Sequence, residues 1–577
     1  MSKARKGWLR GIWTLPANPT EGMWRVDLWA VRGSIHGREA ECGAWCMAPG
    51  RGEAGFVTEI ETKVGPEAGM GEAAQSVDVA LLKESLLQSP TAAHLIEVSD
   101  TLGKKGQFID IIRLVLEVTS LHMDDGQLSL AGATVILRYS SRYEIVETLV
   151  RNTVRVDPDN VAAQAFLAHV RVVGGDVAGG CALFAGMMER YPEKRANICE
   201  FISMSLLEAG YPGEALKVLQ AHLMSGDVTA ALLNNIGCAL ERLNRSSEAL
   251  PWYERALALE PSPDLRFGYA CTLLKAGRLA DGWQIYSQRD LIVMDKSAWY
   301  LTLPRLGPGD DVSGRKVLLF DEQGFGDTIQ FIRGVPYLLE RGAEVTVVVP
   351  PTLVRLLSLS FPGVCVRDKW SFGQEDGYSY AAPIPDLPYI CGVMSVRDIP
   401  AAIPYLRADE GDVARFAALL PDRRPRVGLV WAGERRVQSE YELADKRRST
   451  TLADMGAALT PVEATLVNLQ FGGPRAEIEA WHGQKLFDPM GDVRDMADTA
   501  AIMKNLDLVI SVDTAPLHLA GALGCPVWLI SRWDACWRWG DEGSGSPWYP
   551  NMRVFRARER SFAPVLQEVG RALRNWL

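Results

Sequence analysis

A pattern of small and large residues returns every 34 or 35 residues through the first half of this chain. The clearest copy is ALLNNIGCALERLNRSSEALPWYERALALEP, whose marking positions are Gly237, Leu240, Ala249, Tyr253, Ala256 and Pro261. A period of this length indicates a helix–turn–helix unit that is repeated along the chain. The small residues let two helices approach closely, and the large ones fill the groove of the next unit.

Five weaker copies keep nearly the same register. They are marked by Gly106, Ile111 and Val115; by Val146, Val150 and Pro158; by Gly175, Gly180, Phe184 and Pro192; by Gly210, Ala215 and Leu219; and by Leu274, Gly277, Gly282 and Tyr286. The six units resemble the tetratricopeptide repeat (TPR) family. The resemblance implies a right-handed helical solenoid whose concave face binds a segment of another protein. The alternative is a solenoid that only supports the next domain or mediates oligomerisation.

Composition limits the class of protein. At 577 residues the chain is too long for one ordinary core, and two to four domains are expected. A net charge of −10 argues against a general nucleic-acid binder, which needs a broad basic surface. No apolar run approaches the roughly 20 residues of a membrane span. Ten scattered cysteines and a basic N-terminus without an apolar signal core favour a cytoplasmic protein with reduced thiols.

Residues 1–70 are rich in glycine and tryptophan but have no sustained period, and we assign them no function. They are expected to be a poorly ordered extension, or to lie upstream of a true start at Met70. The pair Cys42 and Cys46 has no second ligand pair nearby, so a metal site is less expected there than ordinary thiols.

The periodicity changes at Gly314. The buried run KVLLF (316–320), a glycine turn, an amphipathic helix and AEVTVVV (343–349) predict a βαβ unit. The second series contains RVGLVWAG (426–433), ATLVNLQFG (464–472), a helix near 496–504, LDLVISVDT (506–514), a helix over 516–523 and PVWLIS (526–531). A proline-rich passage, AAPIPDLPYI (381–390) and then IPAAIPYLRA (399–408), separates the two series and is expected to be an inter-domain linker. The two series together predict two Rossmann-like halves with ligands at the carboxyl ends of their strands.

Three polar motifs follow strands. Gly324-Phe325-Gly326-Asp327 is a glycine turn at a helix start, although Asp327 alone could be an ordinary first-turn acid. The run Asp445–Ser449 offers clustered cations suited to a pyrophosphate, or forms a solvated basic loop. In SVDTAPLH (511–518), the helix start, Thr514 and His518 suit an anion, and Asp513 suits a sugar hydroxyl or anchors the turn.

Several motifs in order resemble the heptosyltransferase-like glycosyltransferases of GT-B fold. They are DGWQIY (281–286), EQGFGDTIQFIR (322–333), WAG (431–433), the Asp-x-x-Arg-Ser run, the Leu469-Gln470 strand end, DTAAI (498–502), SVDT…HLAGALG…PVW and SPWYP (546–550). The resemblance covers roughly residues 280–560. It is greatest to bacterial proteins that fuse TPR repeats to such a domain, some of which modify flagellin.

The resemblance implies a nucleotide-sugar donor as substrate, with no cofactor and no metal. It implies Asp327 as the catalytic base and donor phosphate contacts from Arg448, Ser449, Thr514, Ala515 and His518. Independently of the resemblance, the close approach that glycine permits and the polar side chains at strand ends predict donor contacts from Gly324, Gly326, Gln470 and Asp513. Glu434 departs from the asparagine that usually follows WAG in this family, so the phosphate-binding geometry is expected to differ.

The expected organisation is therefore α + α/β. A TPR solenoid over 71–300 precedes a GT-B domain, whose acceptor half covers 313–405 and whose nucleotide-sugar half covers 424–577. We expect transfer of a sugar to an acceptor, a protein recruited by the repeats, with no nucleic-acid partner. The alternatives are a TPR adaptor whose inactive GT-B domain only binds a nucleotide sugar, and an epimerase that acts on a free nucleotide sugar.

Overall fold

The computed structural model describes residues 79–103, 105–226, 228–291, 298–400, 402–434 and 439–577, with the side chains of 439–441 left aside. The expectations for residues 1–70, including the cysteine pair, lie outside these ranges. The predicted fold class is confirmed, because helical repeats precede two parallel α/β sheets. The chain forms two units. The N-terminal unit runs to Ala209 and includes a short segment that ends at Leu443, and the sheet unit comprises Gly210–Glu434 and Ala444–Leu577.

The N-terminal unit is built from helices joined by short turns. They are α1 (Val79–Gln88), α2 (Ala92–Gly103), α3 (Phe108–Leu121), α4 (Gly126–Tyr139), α5 (Tyr143–Val156), α6 (Val161–Gly174), α7 (Val177–Arg190) and α8 (Arg195–Glu208). The carboxylate of Asp125 accepts from the Leu128 amide and so starts α4, and Asn160 starts α6 in the same way. Fully buried Leu95, Val115 and Ile136 belong to one apolar core.

The sheet unit opens with more repeat helices. They are α9 (Pro212–Leu223), α10 (Ala230–Arg242), α11 (Ser246–Leu259), α12 (Pro263–Lys275) and α13 (Leu279–Tyr286). A Cβ atom at Gly237 would lie 2.7 Å from the ring of Tyr253, so glycine is needed for the close approach of α10 and α11. A Cβ atom at Gly282 would likewise lie 2.7 Å from the Leu274 side chain. The predicted packing role of these repeat positions is therefore confirmed.

The first sheet has the strand order β3-β2-β1-β4, and all its pairs are parallel. Its elements are β1 (Lys316–Phe320), α14 (Phe325–Phe331), α15 (Val335–Glu340), β2 (Glu344–Val349), α16 (Pro351–Ser360), β3 (Cys365–Asp368), β4 (Tyr378–Pro383) and α17 (Leu387–Ile390). The start of the proline-rich passage is therefore not a linker. Its residues 381–383 end β4, because proline is tolerated at the edge of a sheet.

The second sheet has the order β10-β9-β8-β5-β6-β7, again parallel throughout. Helix α18 (Glu410–Ala417) precedes it. Its strands and helices are β5 (Arg426–Val430), α19 (Ser439–Arg448), α20 (Leu452–Leu459), β6 (Thr465–Asn468), β7 (Leu486–Phe487), α21 (Met496–Met503), β8 (Leu508–Val512), α22 (Ala515–Ala522), β9 (Val527–Ser531), β10 (Met552–Arg556) and α23 (Ala563–Trp576).

The strand orders explain where polar motifs meet. In the first sheet, β2 and β3 are added on one side of β1 and β4 is added on the other side, so the strand order reverses between β1 and β4. In the second sheet the same reversal occurs between β5 and β8. Open α/β sheets bind ligands at the carboxyl ends of strands where such a reversal occurs. The glycine turn follows β1, and the segments 431–434 and 513–514 follow β5 and β8. These three turns therefore lie at or beside a reversal point.

Among the residues that the structure describes, no helix has the length and apolarity needed to cross a membrane.

Candidate functional site

The glycine turn after β1 places Asp327 in the first turn of α14. The side chain is 1% exposed, and its Oδ2 accepts from the Gly324 amide at 3.0 Å. Asp327 therefore does act as a first-turn acid, the alternative that the sequence left open. Gly324 has an ordinary φ of −80°. Gly326 is required by space, since a Cβ atom there would lie 2.8 Å from Cδ2 of His518.

The other oxygen of Asp327 pairs with Arg538, which comes from the loop after β9. Its Nη2 donates to Asp327 Oδ1, and its Nε donates to Oε1 of Gln330 at 3.1 Å. The guanidinium also lies 4.3 Å from the ring centroid of Trp537. Arg538 is buried and was missed by the sequence analysis. The signal that could have found it is the run Trp537-Arg538-Trp539, a charge between two aromatic residues.

Two opposing effects set the pKa of the Asp327 carboxyl group. Burial raises its pKa to about 6, while the charge of Arg538 and the hydrogen bond from the Gly324 amide act to lower the pKa. Asp513 and Glu322 add negative charge and raise the pKa further. A carboxylate with a pKa near the working pH is suited to accept a proton from a hydroxyl group.

The start of α22 approaches the glycine turn, as the contact between Gly326 and His518 shows. Asp513 Oδ2 accepts from the indole Nε1 of Trp539 at 2.9 Å, so this carboxylate anchors an aromatic ring of the loop after β9. Thr514 is the residue before the helix, and its Oγ1 lies 3.1 Å from Ser511 Oγ. Ala515 is the first helical residue.

His518 is a neutral imidazole at neutral pH. Burial lowers its pKa to about 3, and the charges of Arg538 and Arg333 lower it further against the opposing effect of Asp513. Its Nδ1 lies 3.0 Å from the Tyr549 hydroxyl, and its ring stacks on Trp539 at 5.4 Å. A neutral imidazole can donate one hydrogen bond to a phosphate but brings no charge to it.

Arg448 and Ser449 form a second group at the end of β5. Ser449 Oγ accepts from the Gly433 amide at 3.0 Å, and Arg448 Nη2 donates to Asp445 Oδ1 at 2.6 Å. The run of cations is not a loop. It is the last turn of α19, where the helix dipole favours positive charge, and Arg447 and Arg448 are buried.

Gln470 holds the end of β5. Its Oε1 accepts from the amides of Trp431 and Ala432, and its Nε2 donates to the Ala432 and Phe471 carbonyl oxygens. These four hydrogen bonds occupy the Gln470 side-chain amide, which was expected to contact the nucleotide sugar. Glu434 lies against the next turn, where its Oε1 accepts from the Gly473 amide at 3.3 Å.

The aromatic residues of the SPWYP segment and of the loop after β9 form one packed group. Trp548 Nε1 donates to the Arg538 carbonyl oxygen at 3.0 Å, and Trp537 stacks on Phe331 at 6.4 Å. Both tryptophans and Tyr549 are buried. Their role in this structure is to fix the loop that carries Arg538.

The described residues contain no group of three or more His, Cys, Asp or Glu side chains that could hold a metal ion.

The Tetratricopeptide repeat family model matches residues 230–263. The chain is similar to Protein FlbA of Caulobacter vibrioides, with 25% identity over 441 residues, which cover 65% of this chain and 72% of that protein. Similar solved structures include a glycosyl transferase family 9 protein from Veillonella parvula (13% identity, TM-score 0.33, 43% of this chain and 87% of that chain). Another is a thermophilic TPR protein from Thermus thermophilus (23% identity, TM-score 0.25, 28% of this chain and 89% of that chain).

Proposed function

We propose that this chain transfers a sugar from a nucleotide-sugar donor to an acceptor hydroxyl group, with Asp327 as the base. The observation that carries the proposal is the Asp327 carboxylate, which lies at the end of β1 and has its pKa raised by burial to about 6. It lies beside the α22 helix start, where backbone amides favour an anion. The motif resemblance supports the same reaction.

The reaction balances without a cofactor. Asp327 takes the proton of the acceptor hydroxyl, whose oxygen bonds to the anomeric carbon while the bond from that carbon to the donor phosphate breaks. The electron pair leaves with the nucleotide phosphate. Amides at the start of α22, the Thr514 hydroxyl and the Arg448 guanidinium are the groups that we propose to stabilise its charge. A protein bound by the repeats is the proposed acceptor, flagellin being one candidate from the resemblance.

A non-catalytic sensor of nucleotide sugars is the second candidate. It is favoured by the tight pairing of Asp327 with Arg538, and by the occupation of Asp513 and Gln470 by bonds within the protein. In an enzyme, ligand binding must loosen the Asp327–Arg538 pair enough for an acceptor hydroxyl to reach the carboxylate. In a sensor, the pair stays closed.

The test is incubation of the full chain with a panel of nucleotide sugars, with and without candidate acceptor proteins. Transfer requires donor consumption that depends on acceptor and an intact-mass increase of the acceptor by one sugar residue. Mass spectrometry of surface proteins from cells with and without the gene identifies acceptors for the panel. Binding without consumption would favour the sensor, and a changed sugar without acceptor would favour an epimerase.

A further inference from the structure

We propose that the last four repeat helices, α10 to α13, are a working part of the active site rather than a detachable docking module. They hold the loop that carries Arg538 and the turn that carries Asp327, and Lys275 is a positioning residue that acts through Arg538. The assignment of a role in catalysis rests on the proposed function of Asp327. The mechanical link between the repeats and the two loops does not.

Lys275, the last residue of α12, ties the repeats to the Arg538 loop. Its side chain is 0% exposed, and its ammonium donates to the Ala535 carbonyl oxygen at 2.7 Å. The same ammonium donates to the Glu241 carbonyl oxygen at 2.9 Å and to Glu241 Oε1 at 2.7 Å. A buried ammonium needs partners of this kind, because leaving the charge unpaired is strongly unfavourable. Ala535 stands three residues before Arg538.

One more repeat turn, between α10 and α11, holds the same loop at both ends. Asn244, in the turn between α10 and α11, donates from Nδ2 to the Trp533 carbonyl oxygen at 2.7 Å. Asp541 accepts from the Ser246 amide at 2.9 Å and from the Ser246 hydroxyl at 2.7 Å. The loop is thus fastened at residues 533, 535 and 541, and Arg538 lies between these points.

The end of the last repeat also holds the strand end that precedes the Asp327 turn. Arg289, three residues after α13, is buried between Glu322 and Asp386. Gln323 donates from Nε2 to the Tyr286 hydroxyl at 2.6 Å. Glu322 and Gln323 directly precede Gly324, so the same repeat fixes the strand end from which the Asp327 turn departs.

Trp283 fills the space between these two attachments. Its ring meets the rings of Phe331, Trp537 and Trp548 edge-on, with centroids 5.8, 5.6 and 6.2 Å away. Phe331 belongs to α14, Trp537 directly precedes Arg538 in its loop, and Trp548 donates to the Arg538 carbonyl oxygen. Trp283 of α13 therefore packs against both the helix that carries Asp327 and the loop that carries Arg538, and the position of Arg538 relative to Asp327 depends on it.

The consequence reaches Asp327 through charge. Arg538 lowers the pKa of Asp327 against burial, so a displaced Arg538 leaves that pKa higher. A variant that frees the loop should then need a higher pH to ionise the base. A repeat that only supported the domain would change the amount of folded protein but not this pH dependence.

The test compares Lys275→Met with the exposed control Lys217→Met, both in the full chain. Hydrogen exchange of peptides over 533–541 should become about tenfold faster in Lys275→Met and stay unchanged in the control. The acidic limb of kcat/KM for sugar transfer should move to higher pH in Lys275→Met only. Unchanged exchange over 533–541 would overturn the inference, and so would a lower kcat/KM with an unmoved acidic limb.

Asp541→Ala is the second variant, because Lys275→Met removes a buried cation from beside the Glu241 carboxylate and could prevent folding. Asp541 is half-buried, so its removal is milder, and the same faster exchange and shifted limb are expected. If the wild-type chain transfers no sugar, the proposed function fails while the exchange measurement still decides the link between repeat and loop. If it transfers sugar and both variants behave like Lys217→Met, only the inference fails.

Discussion

Arg538 donates to the Asp327 carboxylate from a loop of the second sheet, so the two sheets of the sheet unit are joined by a buried ion pair at the candidate site. Both side chains are almost fully buried. Such a pair is costly to assemble and costly to break, because either partner left alone would be an uncompensated buried charge. Its arrangement therefore governs both the ionisation of Asp327 and the packing of the cleft.

Replacing Arg538 should move the pH dependence of transfer. Burial raises the pKa of Asp327 to about 6, and Arg538 opposes that rise. Arg538→Gln should raise the pKa of Asp327 further, by about 1 to 3 units. As the pH is lowered, the variant should therefore lose activity at a higher pH than the wild type does. The measurement is kcat/KM between pH 5 and 9, with the exposed Arg558→Gln as control. If the acidic limb of kcat/KM lay at the same pH in both variants, the role of Arg538 would be contradicted.

Replacing the proposed base should separate catalysis from donor binding. Asp327→Asn keeps the size of the side chain but cannot accept a proton from the acceptor, so kcat should fall by about 10²- to 10⁴-fold. Donor binding, followed by calorimetry, should remain. Asp398→Asn, in an exposed turn of the same half, should leave both quantities unchanged. Near-normal turnover of Asp327→Asn would remove Asp327 from the mechanism.

The glycine turn should not tolerate a methyl group at Gly326. The added Cβ atom would lie 2.8 Å from His518, so α14 and α22 would have to separate. We expect Gly326→Ala to reduce the free energy of unfolding by about 1 to 3 kcal/mol and to impair transfer. Urea unfolding measures the effect. Gly363→Ala is the matched control, because no atom lies within 4 Å of the Cβ position there, and an equal loss in both variants would refute the steric explanation.

Arg355 should stabilise the sheet unit through Asp412, Asp495 and Asp498. Its Nε and Nη2 donate to Asp495, and Nη2 also donates to Asp498 at 2.6 Å. Burial raises the pKa of Asp498, but hydrogen bonds from Arg494 and Arg355 outweigh it and hold that pKa below its usual range. The resulting stabilisation is present above the unfolded pKa near 4 and is lost as the pH falls through the lower folded value.

Arg355→Met should therefore lower the free energy of unfolding at pH 7 by about 1 to 3 kcal/mol, because Asp498 keeps Arg494 and Arg415 as partners. The difference between variant and wild type should shrink as the pH falls toward 2, between the unfolded pKa of Asp498 and its lower folded pKa. Thermal unfolding from pH 2 to 7 measures this. Arg397→Met, at an exposed position, is the control, and a difference that is constant with pH would contradict the ionic origin.

Local sequence was sufficient for most elements. KVLLF is β1 residue for residue, and PVWLIS and LDLVISVDT contain β9 and β8, because buried parallel strands read as continuous apolar runs. The repeat glycines were found from their period alone. The basic run at 445–449 was read as a loop, since charged residues give little indication of whether a last helical turn continues.

Partners distant in sequence could not be predicted. Asp327 and Arg538 are separated by 211 residues, and Lys275 and Ala535 by 260. No local pattern links residues so far apart in sequence. A charged residue between two tryptophans does not indicate which distant side chain it will pair with. Gln470 was assigned to a donor because it ends a strand, but its contacts with the end of β5 depend on which strands lie side by side.

The helical repeats, the parallel strands and the polar turns at the strand ends follow from local sequence, since each depends on the periodicity and the turn chemistry of contiguous residues. Which of these turns meet depends on the order of the strands and on the packing of the repeats. The strand orders place the glycine turn of β1 near the start of α22, and the last repeat holds the loop of Arg538 against Asp327. These contacts depend on burial and charge across the fold, and they set the pKa of the proposed base.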